Sequence, residues 1–189
     1  RDLNPDYTLA DTGAKRHELA ETLEKQTCFC FDIETTSLDR FGARILGIAF
    51  SWESGAATYA TVPDAEALET FRGALTSPAE KIGHNLKYDL AVLRNHGLRV
   101  EPPFFDTLLA HTLLHPDQRH TMDYLAESLL AYTPIKLSEL TGGDPSSPGG
   151  EAAQGDLFQD KDVIDMASIP VKQLARYAAE DADITFQLA

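Results

Sequence analysis

The segment Phe31-Asp32-Ile33-Glu34-Thr35-Thr36-Ser37-Leu38-Asp39 sets two carboxylates two residues apart, just before a polar turn. On a β-strand, residues i and i+2 leave the same face, so Asp32 and Glu34 would stand side by side. Two such acids repel each other and are costly to desolvate unless a cation lies between them. Metal binding is one reading of the pair; a solvated strand end with two surface acids is the other. A further acid, Asp89, follows in His84-Asn85-Leu86-Lys87-Tyr88-Asp89-Leu90, about one turn into an expected helix. Taken alone, it could simply complement a helix dipole. In Tyr177-Ala178-Ala179-Glu180-Asp181, Tyr177 and Asp181 share one helical face with Leu174, Ile184 and Leu188. That face points to a core, where a carboxylate needs a partner or a metal unless it reaches solvent at the stripe's edge.

Elements must bring these residues together. Tyr7–Ala10 suits a short edge strand, and Thr12 suits the N-cap of a helix over about 14–26. Thr27–Glu34 reads as a central strand, apolar on both faces until its end. Ala43–Trp52 and Ala56–Val62 read as a hairpin turning at Glu53-Ser54-Gly55. Pro63-Asp64 opens one helix through about Leu75. Then come a short strand Lys81–His84, a helix Leu86–His96 stopped by Gly97, and a short strand at Phe104–Phe105. Asp106 caps a helix through Leu114, a further helix spans Thr121–Leu130 with Leu125 and Leu129 inward, and Pro170 starts the last one. Interleaved strands and helices predict an α/β, three-layer domain. Residues 1–189 are read as that single domain, with a flexible insertion at about 142–160, rich in Gly, Pro, Ser and acids.

Composition narrows the class. The chain has 189 residues, with 16 Lys+Arg against 30 Asp+Glu and a formal net charge of −14. No apolar run approaches the roughly 20 residues needed to span a bilayer, and the N-terminus lacks an apolar signal core, so a cytoplasmic protein without a membrane partner is expected. The two cysteines, Cys28 and Cys30, exclude a disulfide framework. The charge excludes a basic coat protein but not a nuclease, whose divalent metals require clustered carboxylates. The chain starts at Arg1 and stops inside a helical pattern, which suggests a piece of a longer protein.

In order, Asp-x-Glu, Asn-x-x-x-Asp and Tyr-x-x-x-Asp resemble the three exonuclease motifs of the DEDD superfamily, in its tyrosine-bearing branch. With Phe105-Asp106-Thr107, Arg119–Glu127 and Arg176–Leu188, the resemblance covers most of the chain and is to the proofreading 3′→5′ exonuclease domains of bacterial DNA polymerase I. It implies a ribonuclease H-like fold with a central mixed sheet. It also implies hydrolysis of the 3′ end of single-stranded DNA, releasing 5′-mononucleotides through two divalent ions, Mg²⁺ or Mn²⁺. By the resemblance, Asp32, Glu34, Asp89 and Asp181 are the metal ligands, and Tyr177 orients the attacking water. Leu38 would press on the terminal base, Asn85 and Lys87 would line the strand path, and Arg119 would contact a phosphate. Leu137 stands where the family often has an aromatic. The resemblance further implies a bacterial, nucleoid-associated monomer joined covalently to a polymerase domain.

Two rivals remain at this level. One is a ribonuclease D-like or helicase-associated exonuclease of the same branch; the other is a non-catalytic structural domain of a polymerase. His111 and His115, at i and i+4 with His120 nearby, have a spacing that can bind zinc, although amphipathic packing explains it better. With only Lys87 and Arg119 singled out as phosphate contacts, weak DNA affinity is expected for the isolated domain.

Overall fold

The computed structural model describes residues 5–140 and 165–189. Six strands form one sheet in the order β1-β4-β3-β2-β5-β6: β1 (Asp6–Ala10), β2 (Cys28–Thr35), β3 (Ile45–Glu53), β4 (Ala56–Thr61), β5 (Glu80–Gly83) and β6 (Phe104–Asp106). The sheet is mixed. β1 runs parallel to β4, β4 to β3 and β3 to β2 are antiparallel, and β2, β5 and β6 are mutually parallel. The predicted edge strand, hairpin and buried central strand all form.

Alternation along β2 explains the layers. Phe29, Phe31 and Ile33 join a core with the helices α1 (Gly13–Leu23), α2 (Ala65–Glu69), α3 (Arg72–Thr76) and α4 (Leu86–Asn95). Cys30, on the other face of β2, joins a second core with Ala49, Tyr59 and the final helix α8 (Val171–Leu188). Asp32 and Glu34 share the parity of Cys30, so they leave the sheet on the side of α8. Both faces are covered, as a three-layer α/β domain requires.

Two helices depart from expectation. The helix predicted from Pro63 to Leu75 breaks into α2 and α3 at Phe71, whose backbone (φ −92°, ψ 0°) leaves helical geometry. The break buries the Phe71 ring completely against Phe50, with centroids 5.0 Å apart. The helix predicted over Thr121–Leu130 begins as α6 (Met122–Leu125) and continues as a wider π-helical turn, Ala126–Leu130. That turn shifts the register: Leu125 is inward as predicted, but Leu129 is 60% exposed and Ala126 is buried in its stead. The helix α5 (Thr107–Leu114) forms as expected, and a short α7 (Leu137–Leu140) follows α6. The expected insertion at 142–160 lies outside the described residues.

Candidate active site

β2 ends where the chemistry is concentrated. Pairing with β3 shifts between Glu34 and Thr35, so the strand gives way directly to the turn carrying Leu38. Across the ladder from Glu34 stands Gly47, and a Cβ there would sit 2.2 Å from the Tyr59 ring. Only glycine lets that ring lie beneath the acids. Burial raises the Tyr59 hydroxyl pKa, and the charges of Glu34 and Asp32 push it further.

α8 lies across this face and touches β1 through β5. Its buried stripe includes Leu174, Ala178, Ala182 and Ile184, which turns Asp181 inward. One carboxylate oxygen from each of Asp32, Glu34 and Asp181 lies within 4.8 Å of the others. Glu34 and Asp181 are buried and Asp32 is half-buried. Asp181 Oδ1 is enclosed and has no hydrogen-bond partner among the described residues. Among the described residues, the ion pairs Lys15–Asp11, Arg72–Glu69 and Arg99–Glu101 all lie outside the cluster.

Asp89 is buried in the first turn of α4 but stands outside this trio, because α4 belongs to the opposite layer and reaches the acids past the end of β2. It still feels them. Burial raises its pKa first, the charge of Asp32 adds to this, backbone hydrogen bonds at Asp89 and Ile33 oppose it, and Glu34 contributes less. Asp181 is raised by burial and then by Asp32 and Glu34. Glu34 is raised by burial and then by Asp32; Asp32 is raised by burial, which a hydrogen bond from the Ile33 backbone opposes. Enclosed acids that cannot all ionise in the bare protein form a donor set for hard divalent cations. Tyr177 is half-buried, and its hydroxyl is held protonated by burial first and then by the charge of Asp181.

The residues expected to meet the strand are exposed. Leu38 is 90% exposed on the turn after β2. Asn85 and Lys87 are exposed at the start of α4, and Arg119 is exposed ahead of α6. Leu137 is half-buried against the core under α8.

Several positioning residues escaped the sequence reading. Tyr88 donates to the Ser37 carbonyl (2.8 Å) and lies 2.8 Å from the Thr35 hydroxyl, so α4 holds the Leu38 turn. Asp106 accepts from the backbone N–H groups of Asn85 (3.0 Å) and Leu86 (2.9 Å) as well as from Leu108 (3.0 Å) in α5. It thus caps two helices at once, and it frees Asn85 to take left-handed backbone geometry at φ 65°. The Asn-Leu and Asp-Thr steps each carry a local cap signal; nothing local shows that they share one carboxylate. His111 and His120 meet through their Nδ1 atoms at 2.8 Å, which ties the Arg119 loop to α5. Among the described residues, no three histidines converge on a common point, which counts against the zinc reading.

Comparison with known proteins agrees with this geometry. The family model for a 3′-5′ exonuclease matches residues 7–189. DNA polymerase I of Borreliella burgdorferi is 29% identical over 98% of this chain and 19% of its own length. The Pseudomonas aeruginosa DNA polymerase I is 31% identical over 97% of this chain and 20% of its own. The chain therefore spans about a fifth of the length of these relatives. Among solved structures, Trypanosoma brucei RNase D superposes with a TM-score of 0.72 at 19% identity, covering 98% of this chain and 64% of that one. The fold is that of the ribonuclease H-like exonucleases.

Proposed function

Because the chain belongs to the family of 3′-5′ exonuclease domains of DNA polymerase I, we propose that it trims the 3′ end of single-stranded DNA as the proofreading part of a polymerase. The family and the acidic cluster make it a metal-dependent nuclease. The finer reading, two Mg²⁺ or Mn²⁺ ions and 5′-mononucleotide products, rests on one observation. Acids from β2 and α8 are drawn within 4.8 Å of one another, with a buried Asp181 oxygen that has no hydrogen-bond partner among the described residues.

Asp32, Glu34 and Asp181 would hold the ions, with Asp89 reaching them from α4. Bound there, the ions would neutralise the phosphate and lower the pKa of the attacking water. Tyr177 keeps its proton and so can hydrogen-bond and orient that water rather than act as its base. Leu38 would press against the terminal base, with Asn85, Lys87 and Arg119 along the strand. Tyr88 would hold the turn that carries Leu38.

Release of nucleotides from a 3′-labelled oligonucleotide tests the reading. Asp32→Ala or Asp181→Ala should slow Mg²⁺-dependent release by about 10³-fold or more, roughly 4 kcal/mol of barrier. Either variant at the wild-type rate would remove that acid from the mechanism. Parallel digestion of DNA and RNA decides between the DNA reading and a ribonuclease D-like one. Absence of Mn²⁺ binding by calorimetry would favour a non-catalytic domain.

A further inference from the structure

A second feature opens beside the acidic cluster. Between the Leu38 turn, the outer side of α4 and the approach to β6 lies a cleft of about 710 Å³. Its walls include Arg40, Phe41, Arg94, Asn95, Arg99 and Phe104, and no acidic side chain lines it. This is unusual in a chain of net charge −14, where a random surface would be dominated by carboxylates. Phe41 is 75% exposed and Phe104 39% exposed. Large rings left in water next to arginines form a stacking and phosphate-binding surface. The surface is built rather than accidental. Asn95 Nδ2 donates to the Arg40 carbonyl at 2.8 Å, pinning the turn to the end of α4. The Arg40 guanidinium stands 5.1 Å from the Phe41 ring centroid and steadies the ring. Arg99 pairs with Glu101 at 3.5 Å, an exposed contact that a phosphate can displace.

The cleft begins at the turn that carries Leu38. Leu38 and Arg40 belong to one turn, and Leu90, which lines the cleft, follows Asp89 directly. Arg94 is five residues beyond Asp89 on α4, about 7.5 Å along the helix axis, and stands on the exposed, outward side of that helix. A strand whose terminal base meets Leu38 would pass Arg40, two residues further along the same turn, as it enters the cleft.

We propose that this cleft binds the single-stranded nucleic acid upstream of the 3′ end. Its phosphates lie on Arg40, Arg94 and Arg99, and its bases stack on Phe41 and Phe104. The inference rests on the exonuclease reading for the polarity of the strand. Affinity then comes from sites the sequence reading did not count, and it grows with strand length.

Fluorescence anisotropy with labelled DNA strands of three and ten nucleotides, each ending in a phosphorothioate linkage, tests this on the whole chain. The wild type should bind the ten-nucleotide strand more tightly than the three-nucleotide one. The triple variant Arg40→Ala/Arg94→Ala/Arg99→Ala should lose that preference, bind the longer strand at least about tenfold more weakly, and show a log–log salt slope shallower by about 2, from about 0.7 per lost phosphate contact. Phe41→Ala, at an exposed ring whose loss cannot unfold the core, should weaken the longer strand by about tenfold. Unchanged affinity and salt slope in the triple variant would overturn the proposal and leave the arginines facing another part of the protein. Because binding is read without hydrolysis, this failure is distinct from failure of the exonuclease reading, which would show as no metal-dependent nucleotide release by the wild type.

Discussion

Tyr177 and Asp181 sit one turn apart on α8, and their chemistry differs because their surroundings do. The Tyr177 hydroxyl is held protonated by burial and by the neighbouring acids, so its contribution is orientation. Tyr177→Phe should therefore slow nucleotide release by about 10²-fold or less, a misplacement effect, and well below the loss expected for Asp32→Ala. A pre-steady-state rate on a short single strand reads this directly, and an unchanged rate would remove Tyr177 from the reaction. The sequence makes these two residues legible because i, i+4 spacing on an apolar stripe leaves one direction for both. Tyr88 was not legible. Its role depends on a carbonyl 51 residues away, at Ser37, and no spacing along the chain encodes that contact.

At the scale of elements, α8 is fastened to the far side of the sheet as well as to the acids. Asp183 is buried, accepts from the Tyr7 hydroxyl (2.8 Å), the Gly55 backbone N–H (2.8 Å) and Gln187 (2.9 Å), and so ties β1 and the β3–β4 turn to the helix. Asp183→Ala would leave the Gly55 donor and the Tyr7 hydroxyl without this partner and should destabilise the fold by about 3 kcal/mol. Urea unfolding should show a lower midpoint at unchanged slope; an unmoved midpoint would mean water replaces the carboxylate at no cost. Most elements could be read from the sequence because periodicity and caps are local: the alternation of β2, the Thr12 cap and the stripe of α8 all hold. What failed was set by packing. The Phe71 ring fills a gap beside Phe50, which breaks a helix that local propensity would continue. The π-helical turn after Leu125 rotates Leu129 outward, against a regular 3.6-residue count. The layer that α4 belongs to, and so the side from which Asp89 approaches the acids, is likewise decided only by the assembled sheet.

For the molecule as a whole, a bare acidic cluster has a cost that depends on pH. The carboxyls of Asp32, Glu34, Asp89 and Asp181 have native pKa values raised above their unfolded values. Above about pH 4 the native state therefore holds more protons than the unfolded chain, and stability falls as pH rises through the raised values. The metal-free chain should melt at higher temperature at pH 5 than at pH 8, and Mn²⁺ should raise the melting temperature most at pH 8, where protons compete least for the carboxylates. Thermal scans with EDTA or Mn²⁺ check both points; a flat EDTA profile, or one left unchanged by Asp181→Asn, would contradict them. None of the described helices is long and apolar enough to cross a membrane. The crossing of α8 over five strands has one more consequence. The two halves of the acidic cluster come from opposite ends of the chain, so neither the early strands nor the late helix can cut alone. A copy stalled midway through folding, or one whose last helix has peeled away, lacks part of the acidic cluster, so metal-dependent cutting is contained by topology and arrives only with the finished fold.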